Sequence, residues 1–171
     1  MLEYGDPQGW TLKALREAGG SLLSELYGLD EERLCWRPAE GEWSLKEIAA
    51  HLRDAEELAL AQVQAFVSGR PRSKLPAWDV DVLPEERDYQ GEEIEAFLES
   101  FRSARRETTL LLWGVTEADW AREAEHPFRG PVTLGEVARE LAQHDLEHLW
   151  QVRQLKGRLS EVFPVEEEEW P

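Results

Sequence analysis

The chain has 171 residues, and 42% of them are hydrophobic, which suits one domain with a packed core. Its 36 acidic residues outnumber 19 basic ones, and the resulting net charge of −17 argues against binding to a nucleic-acid backbone. A single cysteine, Cys35, excludes an intrachain disulfide, and no apolar stretch approaches the roughly 18 residues that a transmembrane helix needs.

The N-terminus has neither a basic start nor an apolar run, so we expect no signal peptide, no membrane partner and a cytoplasmic location. The absence of asparagine and the abundance of Glu, Arg and Leu are typical of a thermophilic source. We expect one domain over residues 1–171, with its core at about 8–157 and an acidic tail at about 160–171.

Apolar residues recur at three- and four-residue steps over residues 8–28, which predicts a first helix that continues through the Gly19-Gly20 pair. A connector rich in turn residues follows at 36–43. Ser44 and Glu47 then match a capping box, in which each side chain satisfies a free backbone amide of the other, and this predicts the start of a second helix.

The second helix should end near residue 67, and His51 lies on the edge of its buried stripe. Residues 71–91 contain three prolines and no sustained period, which predicts a long loop with at most a short helical turn. Such a loop can be a functional lid or a crossover that joins two parallel helices. The predicted buried stripe of the second helix comprises Ile48, Leu52, Ala55, Ala59, Gln62 and Phe66.

A third helix is predicted over residues 92–113, followed by a helix start at Thr116 and a loop at 126–131. Thr133 and Glu136 form another capping box, which opens a last helix that we expect to end at Gly157. No strand-like alternation of useful length is present, so the pattern predicts an all-α protein.

Two histidines, His144 and His148, stand one helical turn apart on the buried stripe of the last helix, so both rings can reach one point. With His51 they would form a three-histidine metal site with an open coordination position. Their depths agree if both helices start at the same end of the bundle. The alternative is a set of core histidines satisfied by carbonyl or carboxylate groups.

The spacing of His144 and His148 lacks the glutamate that zinc peptidases place beside the first histidine, since residue 145 is Asp. This disfavours a protease of that type. His126 precedes a proline in the predicted loop, and we interpret it as a surface or substrate-side residue. Cys35 has no histidine nearby in sequence, and we assign no catalytic residue.

Two segments resemble the DinB-like (DinB/YfiT) superfamily: residues 43–56 around His51, and residues 126–136 together with 144–152. The similarity extends over about residues 10–156. It implies a four-helix bundle with a long crossover loop, often a homodimer, that holds zinc or nickel through His51, His144 and His148. The family name does not imply DNA binding.

Relatives in that family include S-transferases that depend on a low-molecular-weight thiol, so the resemblance implies a metal-dependent transferase that activates such a thiol for a small-molecule substrate. A metal-dependent hydrolase and a non-enzymatic module, stabilised by metal for binding or dimerisation, remain open alternatives. Gln151, Asp54 and Arg153 are candidates to orient a histidine or line the pocket. The arginine can equally be a solvated helix residue paired with glutamate.

Overall fold

Four long helices dominate the computed structural model, which describes residues 6–68 and 73–164. They confirm the predicted helical class and most of the predicted helix bounds. The long helices are α1 (Pro7–Leu26), α3 (Leu45–Val67), α5 (Ile94–Gly114) and α7 (Leu134–Val162). The short elements are α2 (Glu31–Cys35), α4 (Leu83–Glu86), a 3-10 turn (Tyr89–Gly91), α6 (Glu117–Trp120), β1 (Glu123–His126) and β2 (Gly130–Thr133).

Capping boxes begin α3 and α7, as the sequence predicts. The amide of Glu47 donates to the Ser44 hydroxyl over 3.2 Å, and the Ser44 amide donates back to the Glu47 carboxylate over 2.8 Å. Thr133 and Glu136 form the same pair of hydrogen bonds. Each box satisfies backbone amides that the first turn of a helix leaves free, which fixes where both helices start.

Helices α1 and α7 run parallel. Arg153 of α7 forms an ion pair with Glu25, near the end of α1, at 2.9 Å. Further back along both helices, the carbonyl of Leu15 and the carboxylate of Asp145 accept hydrogen bonds from the same arginine, Arg105. The contacts thus advance along both helices in the same direction.

Helices α3 and α5 also run parallel. The guanidinium of Arg53 lies 4.8 Å from the centre of the Phe97 ring, and later in both helices Gln64 donates to Glu107 over 2.8 Å. The long connection between these helices is therefore a crossover, and it contains two short helical elements, α4 and the 3-10 turn, where the sequence allowed for one short turn.

Helices α3 and α7 run antiparallel, so they do not start at the same end of the bundle, which was the condition for comparing the depths of the histidines. Arg158, late in α7, forms an ion pair at 3.5 Å with Glu42, just before α3. At the other end, Phe66 of α3 and Leu134 of α7 belong to one core cluster. Agreement in depth therefore does not identify the direction of α7, because a helix of 29 residues extends past the level of His51 from whichever end of the bundle it starts.

Three sequence expectations need correction. The predicted loop at 126–131 belongs to a two-stranded antiparallel hairpin, in which Glu123 faces Thr133 and Gly130 adopts a φ of +76°. Helix α7 does not end at Gly157 but continues to Val162, where buried Leu159 extends the core contact. Ala55 is half-buried, not fully buried. The acidic run at 166–169 lies outside the described residues.

The helices enclose two apolar clusters, one around Ile48, Phe97 and Val152 and the other around Leu15, Phe66 and Leu134. On α7, His144, Asp145 and His148 lie between these two clusters, whereas His51 on α3 lies within the first cluster. No helix in the described part of the chain combines the length and the apolar composition that a bilayer crossing requires.

Candidate metal centre

The structure brings His51 of α3 together with His144 and His148 of α7. The Nε2 atom of His144 lies 2.9 Å from Nε2 of His51 and 3.1 Å from Nε2 of His148. His51 is fully buried and the other two residues are half-buried. One potential ligand atom from each residue lies within 4.8 Å of the other two, so three nitrogens converge on one small volume.

The outward ring nitrogens show which atoms carry protons in two of the histidines. His51 Nδ1 donates to the carbonyl of Val80 over 3.3 Å, and His148 Nδ1 donates to the Gln151 side-chain oxygen over 2.7 Å. A neutral imidazole carries one ring proton. The Nε2 atoms of His51 and His148 are therefore unprotonated, and both present a lone pair to His144.

The hydrogen-bond pattern inside the cluster is incomplete without a cation. If the His144 proton lies on Nε2, it can be donated to only one of the two neighbouring lone pairs, and the other is left without a donor. If the proton lies on Nδ1, the three Nε2 lone pairs face one another. His144 Nδ1 is buried and has no hydrogen-bond partner among the described residues. A divalent cation that accepts all three Nε2 lone pairs removes the repulsion, because neutral imidazole is a common zinc ligand. These residues fit such an ion.

Protonation does not offer an alternative at neutral pH. Burial, and then the charges of His148, His51 and Arg105, lower the pKa of His144 to about 3. Burial also lowers the pKa of His51 and of His148 below the ordinary value for histidine. All three rings are therefore neutral near pH 7, which is the form that binds metal.

Trp43 and Asp81 complete the immediate surroundings. The half-buried ring of Trp43 lies 4.8 Å from the ring centre of His51 and stacks at 6.4 Å on His148, with 14° between the planes. Asp81, in the crossover, places a carboxylate oxygen 3.8 Å from His51 Nε2, and its side chain is 78% exposed. An aromatic ring thus packs against one side of the cluster, and an exposed carboxylate lies beside the Nε2 atom of His51.

The cluster is accessible from the surface. Two concavities, of about 450 and 700 Å³, share His148, Trp150 and Gln151 in their walls. The indole of Trp150 is itself 67% exposed. A metal centre at this position would have room for an exogenous molecule, as catalytic sites require and closed structural sites do not.

A buried ion cluster lies next to the histidines and joins all four long helices. Arg105 of α5 donates to Glu56 of α3 over 2.9 Å, to Asp145 of α7 over 2.6 Å and to the Leu15 carbonyl of α1 over 2.9 Å. Gly19 leaves room for it, since a Cβ there would lie 2.9 Å from the guanidinium. Asp145 directly follows His144, so the cluster fixes the turn of α7 that carries this histidine.

Sequence analysis missed this ion cluster, although its pattern contains a signal. Glu56 follows Leu52 by four residues, Arg105 follows Phe101 by four, and Asp145 precedes Leu149 by four. Each charge therefore occupies a core position on an apolar stripe. The following three charged residues are the members of the cluster: Glu56, Arg105 and Asp145.

The remaining candidates occupy different places. Gln151 binds a histidine directly, as described above. Asp54 accepts hydrogen bonds from the Tyr89 hydroxyl and from Arg53, not from a histidine. Arg153 pairs with Glu25 on α1 and does not line either concavity. Asp54 thus has no hydrogen bond to a histidine, and Arg153 follows the alternative in which it pairs with glutamate.

Cys35 and His126 also lie apart from the cluster. The Cys35 thiol donates to Glu31 over 3.2 Å, and burial together with that carboxylate raises the pKa of the thiol, which keeps it protonated. The His126 ring accepts from the Phe128 amide within the hairpin turn. Neither geometry is that of an activated nucleophile or a metal ligand.

Comparison with known proteins places these features in a family. A family model described as the DinB superfamily matches residues 14–152. The uncharacterized protein YuaE of Bacillus subtilis is 21% identical over 159 residues, which cover 86% of this chain and 98% of YuaE. The residues that the family model matches, 14–152, include all three clustered histidines.

Two solved structures share the fold. YfiT from Bacillus subtilis, described as a probable metal-dependent hydrolase with an unusual four-helix bundle topology, superposes with a TM-score of 0.80 at 16% identity, covering 94% of this chain and 91% of YfiT. A mycothiol-dependent maleylpyruvate isomerase superposes with a TM-score of 0.67 at 12% identity, covering 85% of this chain and 60% of the isomerase. At these identities the likeness shows the four-helix bundle fold alone.

Proposed function

The chain belongs to the DinB superfamily, and from that premise we propose that it is an enzyme that binds a divalent cation, zinc or nickel, through His51, His144 and His148. The observation that carries this proposal is the convergence of three neutral Nε2 atoms that no arrangement of ring protons satisfies. The open concavities at His148 favour a catalytic centre over a closed structural one.

We propose further that the reaction is the transfer of a low-molecular-weight thiol to a small electrophile. A bound divalent cation lowers the pKa of a coordinated thiol, so that the thiol reacts as a thiolate at neutral pH. The exposed carboxylate of Asp81 would accept the thiol proton and release it to water. The sulfur would form a bond to the electrophilic carbon, and the leaving group of the electrophile, chloride for 1-chloro-2,4-dinitrobenzene, would depart to solvent. The description of one structural relative as mycothiol-dependent supports this choice.

The residues around the histidines hold the ligands in place. Gln151 accepts from His148 Nδ1 and so keeps the lone pair of that ring on Nε2. The Val80 carbonyl does the same for His51. Trp43 covers two of the rings and excludes water from that side of the cluster.

A metal-dependent hydrolase is the second candidate, supported by the description of YfiT and by the same carboxylate. Water then takes the place of the thiol, and Asp81 accepts its proton. A third candidate is a non-enzymatic module whose metal stabilises the bundle for binding or dimerisation. The homodimer predicted from the sequence remains a prediction in all three cases.

The test compares metal-loaded protein, metal-stripped protein and two variants in two assays. One assay follows conjugation of a thiol to 1-chloro-2,4-dinitrobenzene, and the other follows hydrolysis of 4-nitrophenyl acetate without thiol. The transferase proposal predicts thiol-dependent turnover that disappears on stripping and in His148→Ala. In Asp81→Asn we expect turnover to fall about a hundredfold with the metal content unchanged.

Each alternative has its own result. Ester hydrolysis that needs metal but no thiol would replace the transferase by the hydrolase. Metal that raises the melting temperature, while no thiol or ester is turned over and none competes for the metal, would identify the non-enzymatic module. Thiol conjugation that persists in His148→Ala would contradict a role for the cluster in that reaction.

A further inference from the structure

The smaller concavity beside His148 is an amphipathic groove between the connector before α3 and the second half of α7. Four apolar side chains, two of them tryptophans, and five polar or charged side chains form its wall. We call it the tryptophan groove, with a volume of about 450 Å³. The lining residues that matter for binding in this groove are Trp43, Trp150, Leu155, Gln151, Arg158 and Glu42.

Arg158 is the cation of this groove, and most of its hydrogen-bonding capacity is unused. Within the described part of the chain its one hydrogen-bond partner is Glu42, at 3.5 Å, and both side chains are about half exposed. Its guanidinium also lies 5.7 Å from the Trp36 ring centre, which limits its orientations. An exposed ion pair of this length contributes little, so an incoming carboxylate can replace Glu42.

The positions of His148 and Arg158 on one helix set the length of a molecule that spans the groove. Ten residues separate them, which corresponds to about 15 Å along the axis. Long helix side chains lean towards the N-terminus, so the guanidinium reaches back by several ångströms. A molecule of about 10 Å can therefore touch Arg158 at one end and reach the histidine cluster at the other.

We propose that the tryptophan groove binds an apolar, planar group that carries a carboxylate. The planar group packs against Trp43 and Trp150, and the carboxylate binds Arg158 with a charge-assisted hydrogen bond. The opposite end of the molecule is then presented at His148. This names the substrate class for the function proposed above and rests on it only for the chemistry at that end.

Binding of three matched probes tests the proposal without any assay of activity. The probes are 4-phenylbutyrate, its neutral amide and 4-phenylbutylamine, which share an aromatic ring and a chain of suitable length. Isothermal titration calorimetry is run on zinc-loaded and on metal-free protein. We expect the acid to bind at least about fivefold more tightly than the amide, and the amine to bind most weakly.

Three variants locate the carboxylate. Arg158→Gln should abolish the preference for the acid and leave binding of the amide unchanged. Glu42→Gln should tighten binding of the acid about threefold, because it removes the competing carboxylate. Arg102→Gln is the matched control, since Arg102 is an exposed helix arginine in an ion pair with Glu99, outside the groove, and should change nothing.

Several results would overturn the proposal. Equal affinity of the unaltered protein for the acid and the amide would show that no positively charged group in the groove distinguishes a carboxylate from an amide. Full acid affinity in Arg158→Gln, lost in His148→Ala, would place the carboxylate on the metal instead. Acid binding that depends on Arg158 in metal-free protein would support the groove even if the metal-dependent function failed, so the two proposals can be separated.

Discussion

Two buried polar clusters lie side by side in this bundle, and they differ in whether the chain itself supplies partners for their polar groups. The ion cluster brings Arg105 together with two carboxylates and a carbonyl, so its charges have partners from within the chain. The histidine cluster brings together three neutral rings of the same kind, and their lone pairs face one another. His144 and Asp145 are neighbours in sequence, yet one belongs to each cluster.

The comparison shows which cluster is structural and which is built for something else. Buried charges are tolerated when they are paired and hydrogen-bonded. Each charged group of the ion cluster has an ionic partner, and Glu56 Oε1 is the one carboxylate oxygen of the cluster that has no hydrogen-bond partner among the described residues. The histidine cluster carries no charge near pH 7, and the described residues do not supply donors for all of its Nε2 lone pairs. We infer that the ion cluster holds the four helices together and that the histidine cluster binds a cation taken up from solution.

The largest effect should follow from removing the centre of the ion cluster. Arg105→Met leaves Glu56 and Asp145 buried without a positive partner, and we expect the free energy of unfolding to fall by about 3–5 kcal/mol. Urea denaturation of metal-free protein measures it. Arg102→Met, which breaks an exposed ion pair on the same helix, should cost less than about 1 kcal/mol.

A loss below about 1 kcal/mol in Arg105→Met would mean that the ion cluster is not what holds the helices together. Added zinc should stabilise Arg105→Met against urea no more than it stabilises the unaltered protein, since the two clusters are satisfied by different partners. A selective rescue would break the distinction between them.

Acid should destabilise the metal-free protein through the histidine cluster. The pKa of His144 is lowered from 6.5 in the unfolded chain to about 3 in the folded one. Below pH 6.5 the unfolded chain therefore binds a proton that the folded chain rejects, and stability falls as the pH is lowered from there towards 3. At pH 5 the loss from His144 alone should be about 2 kcal/mol.

Urea denaturation between pH 7.5 and pH 5 measures this dependence, with His144→Gln as the control that should make it shallower. The lowered pKa values of His51 and His148 act in the same direction. A stability of the metal-free protein that is unchanged, or rises, over this pH interval would contradict the account of the cluster as three buried neutral rings.

The smallest effect concerns the hydrogen bond that orients a ligand. In Gln151→Met, His148 Nδ1 loses its acceptor, and we expect zinc affinity to fall about tenfold. Competition with a chromogenic chelator measures the affinity. Gln154→Met is the matched control, since Gln154 also lines the tryptophan groove and should leave the affinity unchanged. Equal zinc affinities in the two variants would show that the hydrogen bond from His148 to Gln151 does not contribute to zinc binding.

Local signals in the sequence predicted the helices well. Capping boxes act within four residues, so Ser44 and Thr133 marked the starts of α3 and α7. Strands of four residues carry too short an alternation to detect, which is why the hairpin was missed. Gly157 misled because a helix glycine costs only about 1 kcal/mol, and burial of Leu159 offsets it.

The site was predicted in part, for a similar reason. Helical spacing alone places His144 and His148 side by side, and the stripe position of His51 turns it inwards. Directions of helices depend on long-range packing, so the antiparallel arrangement of α3 and α7 could not be read from spacing. Arg105 was overlooked because a charged residue on a helix is usually solvated, and only its three partners make burial possible.

The most direct test of the central claim is the metal content of untagged protein, measured by elemental analysis beside His51→Ala and His148→Ala. The account predicts about one zinc or nickel ion per chain in the unaltered protein and loss of that ion in both variants. An unaltered protein that takes up neither ion, even after reconstitution with both, would contradict it and leave the three histidines as core residues.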